Sequence, residues 1–75
     1  MECLITKIFD FERDGINVSD LCRVCGISRQ AFYNVISNKS EPRISLAISI
    51  VDYLNDAMHA HGYESLNYDV RDLWK

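Results

Sequence analysis

The chain has 75 residues, 8 Lys and Arg against 11 Asp and Glu for a formal charge of −3, and 48% apolar residues. A chain this short makes one domain with a marginal core, so self-association is a natural supplement, and its apolar content excludes an intrinsically disordered protein. No apolar run is long enough to span a bilayer, and the acidic balance argues against indiscriminate binding to polyanions.

At the N-terminus, Met1-Glu2-Cys3 lacks the basic stretch and following apolar stretch of a signal peptide, which points to a cytoplasmic protein. Leu4, Ile5, Ile8, Phe9 and Phe11 recur at helical spacing. They predict a first helix of about 12 residues that stops at Asp14-Gly15. Asn17 can cap a second helix, with Asp20 as a short version of the capping-box acid. Leu21 and Cys22 give that helix its apolar face. Gly26 stands where the chain must turn sharply with positive φ, and Ile27 fills the space between helices.

Ser28 can open a third helix by accepting a hydrogen bond from an otherwise unpaired N–H. Phe32, Val35 and Ile36 then share one buried face, and Arg29, Gln30, Tyr33 and Asn34 point outward. Residues 37–42 read as a loop ending in Pro42, in which Asn38 tolerates the left-handed conformation. Ile44, Ile48, Ile50, Val51 and Leu54 mark a fourth helix reaching His61 before Gly62 ends it. Residues 63–67 read as irregular or extended, and Asp69 caps a last turn through Trp74.

The run from Asn17 to Ile36 has two short amphipathic helices pivoting about one glycine, the second opened by a serine. That is the layout of a helix-turn-helix, whose second helix usually reads base edges. These residues resemble the Cro/repressor (XRE-type) family of phage and bacterial transcription regulators. The family pattern is a polar cap, an acid three residues on, Leu-Ala, a spaced glycine, an aliphatic residue, serine and a polar reading helix. A short loop ending in proline and an aliphatic helix follow. Here Asn17, Asp20, Leu21-Cys22, Gly26-Ile27-Ser28, Pro42 and the Ile44–Leu54 residues fill it, without gaps from about Ile16 to Leu54.

The resemblance implies an all-α, five-helix lambda-repressor-like DNA-binding domain, with its helix-turn-helix at 17–37 and an extended C-terminal tail. Residues 1–75 would form one domain, with a core at 2–61 and an appendage at 62–75. The implied function is a sequence-specific transcriptional regulator, a repressor of a phage or mobile element, bound as a homodimer to a palindromic double-stranded DNA operator. Base reading falls to Arg29, Gln30, Tyr33 and Asn34. Contacts to phosphate or the minor groove fall to Asn17, Ser28, Ser37, Lys39 and Arg43. Two departures stand out. Phe11 and Ile36 replace a common arginine–acid pair, and Val18 replaces a glutamine that often bonds phosphate.

Charge is unevenly distributed. Residues 22–43 carry Arg23, Arg29, Lys39 and Arg43 against Glu41, a local +3, and each flank carries −3. Acids beyond about 8–10 Å are screened at physiological salt, so the local patch dominates contact and the flanks lower affinity for arbitrary DNA. Tyr63, Leu66, Tyr68, Leu73 and Trp74 add large apolar groups after the four helices; they either cover the core or form a dimer interface.

Cys22 and Cys25 form a Cys-x-x-Cys, but no second pair completes a metal site, so no metal or cofactor is expected and Cys22 reads as a small packing residue. His59 and His61 read as exposed residues near a helix end. No glycine-rich phosphate loop or triad spacing suggests an enzyme. The alternative function is a helix-turn-helix fold used as a protein-interaction module, as an anti-repressor, inhibitor or antitoxin, with another regulator as partner. The base-reading residues favour DNA, whereas Tyr33 and the C-terminal aromatics favour protein.

Overall fold

Two helices with their own side-chain caps and one long apolar helix frame the molecule. The computed structural model describes residues 2–63 and 66–75. It contains α1 (Ile5–Ile8), α2 (Val18–Cys25), α3 (Arg29–Ile36), α4 (Ile44–Ala60) and α5 (Val70–Leu73). The described residues form one compact all-α unit without a strand; Cys3 and Trp74 make only an isolated antiparallel bridge. Of the stretch expected to be irregular, residues 64 and 65 lie outside the described residues, as does Met1.

The Asn17 side chain accepts from the Asp20 N–H at 3.0 Å, and the Ser28 hydroxyl oxygen accepts from the Ala31 N–H at 3.1 Å. Each bond satisfies one donor that a helix start leaves unpaired. Between them Gly26 ends α2 with φ 72°, a conformation that lets the chain reverse without a side-chain clash. Leu21, Cys22, Phe32, Val35 and Ile36 face inward and meet Ala47, Ile50, Val51, Leu54 and Met58 of α4. Burial of this kind stabilises by roughly 1.5–3 kcal/mol for each large aliphatic or aromatic side chain.

Asp20 does not complete a capping box. Its carboxylate accepts from the Tyr53 hydroxyl at 2.8 Å and pairs with Arg23, so it ties α2 to α4 instead. The phenol of α4 offers a donor that the short Asp side chain reaches more readily than its own cap's N–H.

The expected 12-residue first helix is also corrected. Regular α1 spans four residues, and Phe9 is already extended, with φ −108° and ψ 138°. The cause is Asp10, whose Oδ1 accepts from the N–H groups of Glu12 and Arg13 at 3.1 Å each. A side chain that binds nearby backbone donors starts a new turn rather than continuing the old helix. That turn carries Phe11 against Phe32, with ring centroids 5.9 Å apart, and closes through the Ile16 N–H to the Phe11 carbonyl at 2.9 Å.

The division into a core at 2–61 and an appendage at 62–75 does not hold. Leu73 is fully buried and Trp74 is 5% exposed, both within the chain's own core. The Leu4 N–H donates to the Leu73 carbonyl at 2.7 Å, and the Lys75 N–H donates to the Glu2 carbonyl at 2.8 Å. The Asn38 side chain joins the same region by accepting from the Cys3 N–H at 2.7 Å, and Asn38 adopts φ 66°. A domain with so little core uses both of its ends to complete it.

His59 is likewise half-buried rather than exposed, since its Nε2 bonds the Leu66 carbonyl at 2.7 Å. His61 is exposed, with its ring lying against Gly15. No helix among the described residues is long and apolar enough to cross a membrane.

Candidate nucleic-acid interface

The outer face of α3 follows from its inner one. Phe32, Val35 and Ile36 are buried, so the intervening positions turn outward at helical spacing. Arg29, Gln30 and Tyr33 are exposed, and Asn34 is half-buried. The Gln30 Nε2 donates to the Asn34 Oδ1 at 3.1 Å. This bond joins two side chains one turn apart and leaves the Gln30 Oε1 as an acceptor beside the remaining Asn34 amide donor.

Five of the sequence-predicted residues, Gln30, Tyr33, Asn34, Ser37 and Lys39, line one open groove of about 540 Å³. Thr6, Phe11 and Ile36 complete its lining and give it an apolar wall. Sequence reasoning missed Phe11 here, because a continuous first helix would have carried its ring elsewhere. Its aromatic partner Phe32 was the available signal.

Asn17, Ser28, Arg29 and Arg43 are not part of this lining. Asn17 and Ser28 use their side-chain oxygens as helix caps and stand exposed at the starts of α2 and α3. The Ser37 hydroxyl turns back on its own helix and donates to the Tyr33 carbonyl at 2.6 Å. Arg43 is exposed at the start of α4 and makes no side-chain capping bond.

Arg23 is paired with Asp20, which removes it from the positive patch. Arg29, Lys39 and Arg43 form no ion pair among the described residues. Both partners of the neighbouring α2–α4 bond are perturbed. The hydrogen bond from Tyr53, and then Arg23, hold Asp20 below the ordinary carboxylate range. Burial and then Asp20 push the Tyr53 hydroxyl up to about 12.

The proposed dimer residues separate into three kinds. Leu73 and Trp74 are core residues of their own chain, so their side chains are unavailable to a dimer face. Tyr68 and Leu66 are half-buried, with Tyr68 edge-on to Phe9 at 5.3 Å between centroids. Tyr63 alone among the five is exposed, at 54%.

Cys22 is buried and Cys25 half-buried, and burial pushes both thiols up, away from the reactive thiolate. Among the described residues no three His, Cys, Asp or Glu side chains gather in a way that could hold a metal ion. Comparison of the chain with protein-family models, curated proteins and solved structures returned no match.

Proposed function

We propose that the protein is a sequence-specific DNA-binding regulator with a lambda-repressor-like fold of the Cro/repressor kind, acting as a repressor with α3 in the major groove. The observation that carries this reading is the outer face of α3. A helix opened by a serine cap and fixed from behind by Phe32, Val35 and Ile36 presents Arg29, Gln30 and Asn34 outward. Arginine can donate two bonds to guanine O6 and N7. The bonded Gln30–Asn34 pair offers one acceptor and one donor, the complement of adenine N6–H and N7. Lys39, with the exposed starts of α2 and α3 at Asn17 and Ser28, supplies contacts for phosphate.

The overall charge of −3 is compatible with this function because the cationic residues cluster in 22–43. It makes the protein a selective binder with little hold on arbitrary DNA. The reading is tested by gel shift against DNA flanking the gene, followed by titration of variants on operator and scrambled DNA at several salt concentrations. Arg29→Ala or Gln30→Ala should cost about 1–3 kcal/mol on the operator and relax preference at one or two base pairs. Lys39→Ala should weaken binding to all sequences alike and flatten the salt slope by about one unit. Unaltered operator binding by Arg29→Ala and Gln30→Ala would overturn the reading.

One observation favours a protein partner on the same face. The groove beside α3 has Phe11, Tyr33 and Ile36 in its lining, more apolar surface than base reading requires. Under that reading Phe11→Ala would abolish partner binding, whereas DNA binding would be absent from the start.

A further inference from the structure

The exposed face of α3 has two edges of different chemistry. Gln30, Tyr33, Asn34 and Ser37 recur at the i, i+3, i+4 and i+7 spacing of a single helical stripe. All four line the groove shared with Thr6, Phe11, Ile36 and Lys39, whereas Arg29 does not. Among the described residues that lining has a cation and no carboxylate, although the chain carries 11 acids. Within the stripe Tyr33 is 46% exposed and lies between the two members of the bonded Gln30–Asn34 pair in sequence. Its ring is braced from behind. The Tyr33 and Phe32 centroids are 5.8 Å apart, and those of Phe32 and Phe11 are 5.9 Å apart. A row of three rings thus joins the core to the groove, with Tyr33 at its open end.

Hydrogen bonding to bases gives this apolar wall no part, but an A·T pair offers more than hydrogen bonds. Across the major groove it presents an acceptor and a donor on adenine, then an acceptor and a methyl group on thymine. The Gln30–Asn34 pair complements the first two. An apolar surface beside that pair complements the last. Helix neighbours three residues apart stand about 5–6 Å from each other at Cβ, roughly half the 12 Å width of the major groove. We infer that Tyr33, braced by Phe32 and Phe11, is a specificity residue that receives the C5-methyl group of the thymine paired with that adenine. The face then reads both partners of one A·T pair. A T·A pair reverses the pattern, and a G·C or C·G pair has no methyl group, so each mismatches both the amides and the wall. No carboxylate of the lining repels the phosphates that flank the pair, and Lys39 stands ready for one of them. The inference rests on the DNA-binding reading and adds to it the chemistry that the wall recognises.

The probe is a duplex that the full chain itself enriches from a random pool of double-stranded oligonucleotides. Its A·T pair is located as the position whose preference Gln30→Ala relaxes. Uracil then replaces thymine in that pair, which removes one methyl group and leaves every hydrogen-bonding group in place. Binding by the intact chain should weaken about fourfold, the worth of one buried methyl-sized group. Tyr33→Ala should bind the thymine and uracil duplexes equally, whereas Tyr33→Phe should keep the fourfold difference. Such a cycle separates a contact with the methyl group from a structural role, which would lower affinity for both duplexes alike. The inference falls if the intact chain binds the uracil duplex as tightly as the thymine one, or if Tyr33→Ala still tells them apart. Either result, with binding still dependent on Arg29, would sink the methyl contact and spare the regulator. A pool from which no duplex is enriched would overturn the regulator and the methyl contact together.

Discussion

The stretch 17–37 and the two ends of the chain are held by different means. In 17–37 each helix start has a cap within three residues of itself, Asn17 to Asp20 and Ser28 to Ala31, and Gly26 makes the turn between them. The ends are held by partners far away in sequence: Leu4 with Leu73, Glu2 with Lys75, and Cys3 with Asn38. One region follows from rules that act over a few residues, whereas the other depends on the whole chain having come together. Perturbing each should therefore give effects of different size and reach.

The largest effect should come from the C-terminal end. Trp74→Ala removes a large buried side chain at a cost of about 3–5 kcal/mol. A domain of this size has only about 4–11 kcal/mol of stability in all. Deleting residues 69–75 should consequently abolish the thermal transition followed by circular dichroism. A truncated chain that still melts cooperatively would return the C-terminal segment to the status of an appendage.

Next comes the junction at Asn38, where a left-handed backbone coincides with a long-range bond to Cys3. Asn38→Ala loses both advantages and should cost about 1–3 kcal/mol in urea denaturation. Asn38→Gly accepts the backbone and loses only the bond, so about 1 kcal/mol is expected. Equal losses for the two substitutions would show that backbone conformation contributes nothing there.

A smaller effect is expected from the local caps. Ser28→Ala should cost about 1 kcal/mol. Arg29→Ala, one residue on, should stay within about 0.5 kcal/mol in the same melts because Arg29 is exposed and forms no ion pair among the described residues. That contrast separates what builds α3 from what α3 is proposed to read.

The smallest effect is spectroscopic. When tyrosinate absorbance is followed with pH, Tyr53 should contribute a step near 12. A raised phenol value means that the fold favours the protonated form. Its stabilisation is therefore complete below the ordinary value of 10 and is lost as pH rises through about 12. Asp20 has the opposite sign: its contribution is present above the ordinary carboxylate value of 3.8 and disappears as pH falls through its lowered one. Asp20→Asn should bring the Tyr53 step down, and an unchanged step would remove the α2–α4 bond from the account.

The same contrast explains what could be read from sequence. The Asn17 and Ser28 caps, the glycine turn and the buried triplet of α3 act locally, and the structure places them as the residue pattern predicts, whereas the Asp20 carboxylate is drawn away to α4. The start of the chain was misread because Leu4, Ile5, Ile8 and Phe9 keep helical spacing while Asp10 interrupts it. Apolar periodicity does not register a side chain that captures its own backbone. Leu73 and Trp74 were ambiguous for another reason. Large apolar residues announce that something will cover them without saying whether it is their own chain or a copy. On the candidate interface, the outward residues of α3 followed by subtraction from its buried ones. The apolar wall at Phe11 did not, since it depends on how the first turns are broken.

The pairing of the two ends also bears on how the domain is made. Synthesis delivers residues 2–5 about 70 residues before residues 73–75, an interval of roughly 4–14 s at ordinary elongation rates. Within that interval α2, α3 and α4 are made in turn, while Cys3 and Ile5 wait without Leu73 and Trp74. Completion of the core is thus timed by Leu73 and Trp74, so a chain stopped a few residues short of them would hold its core open.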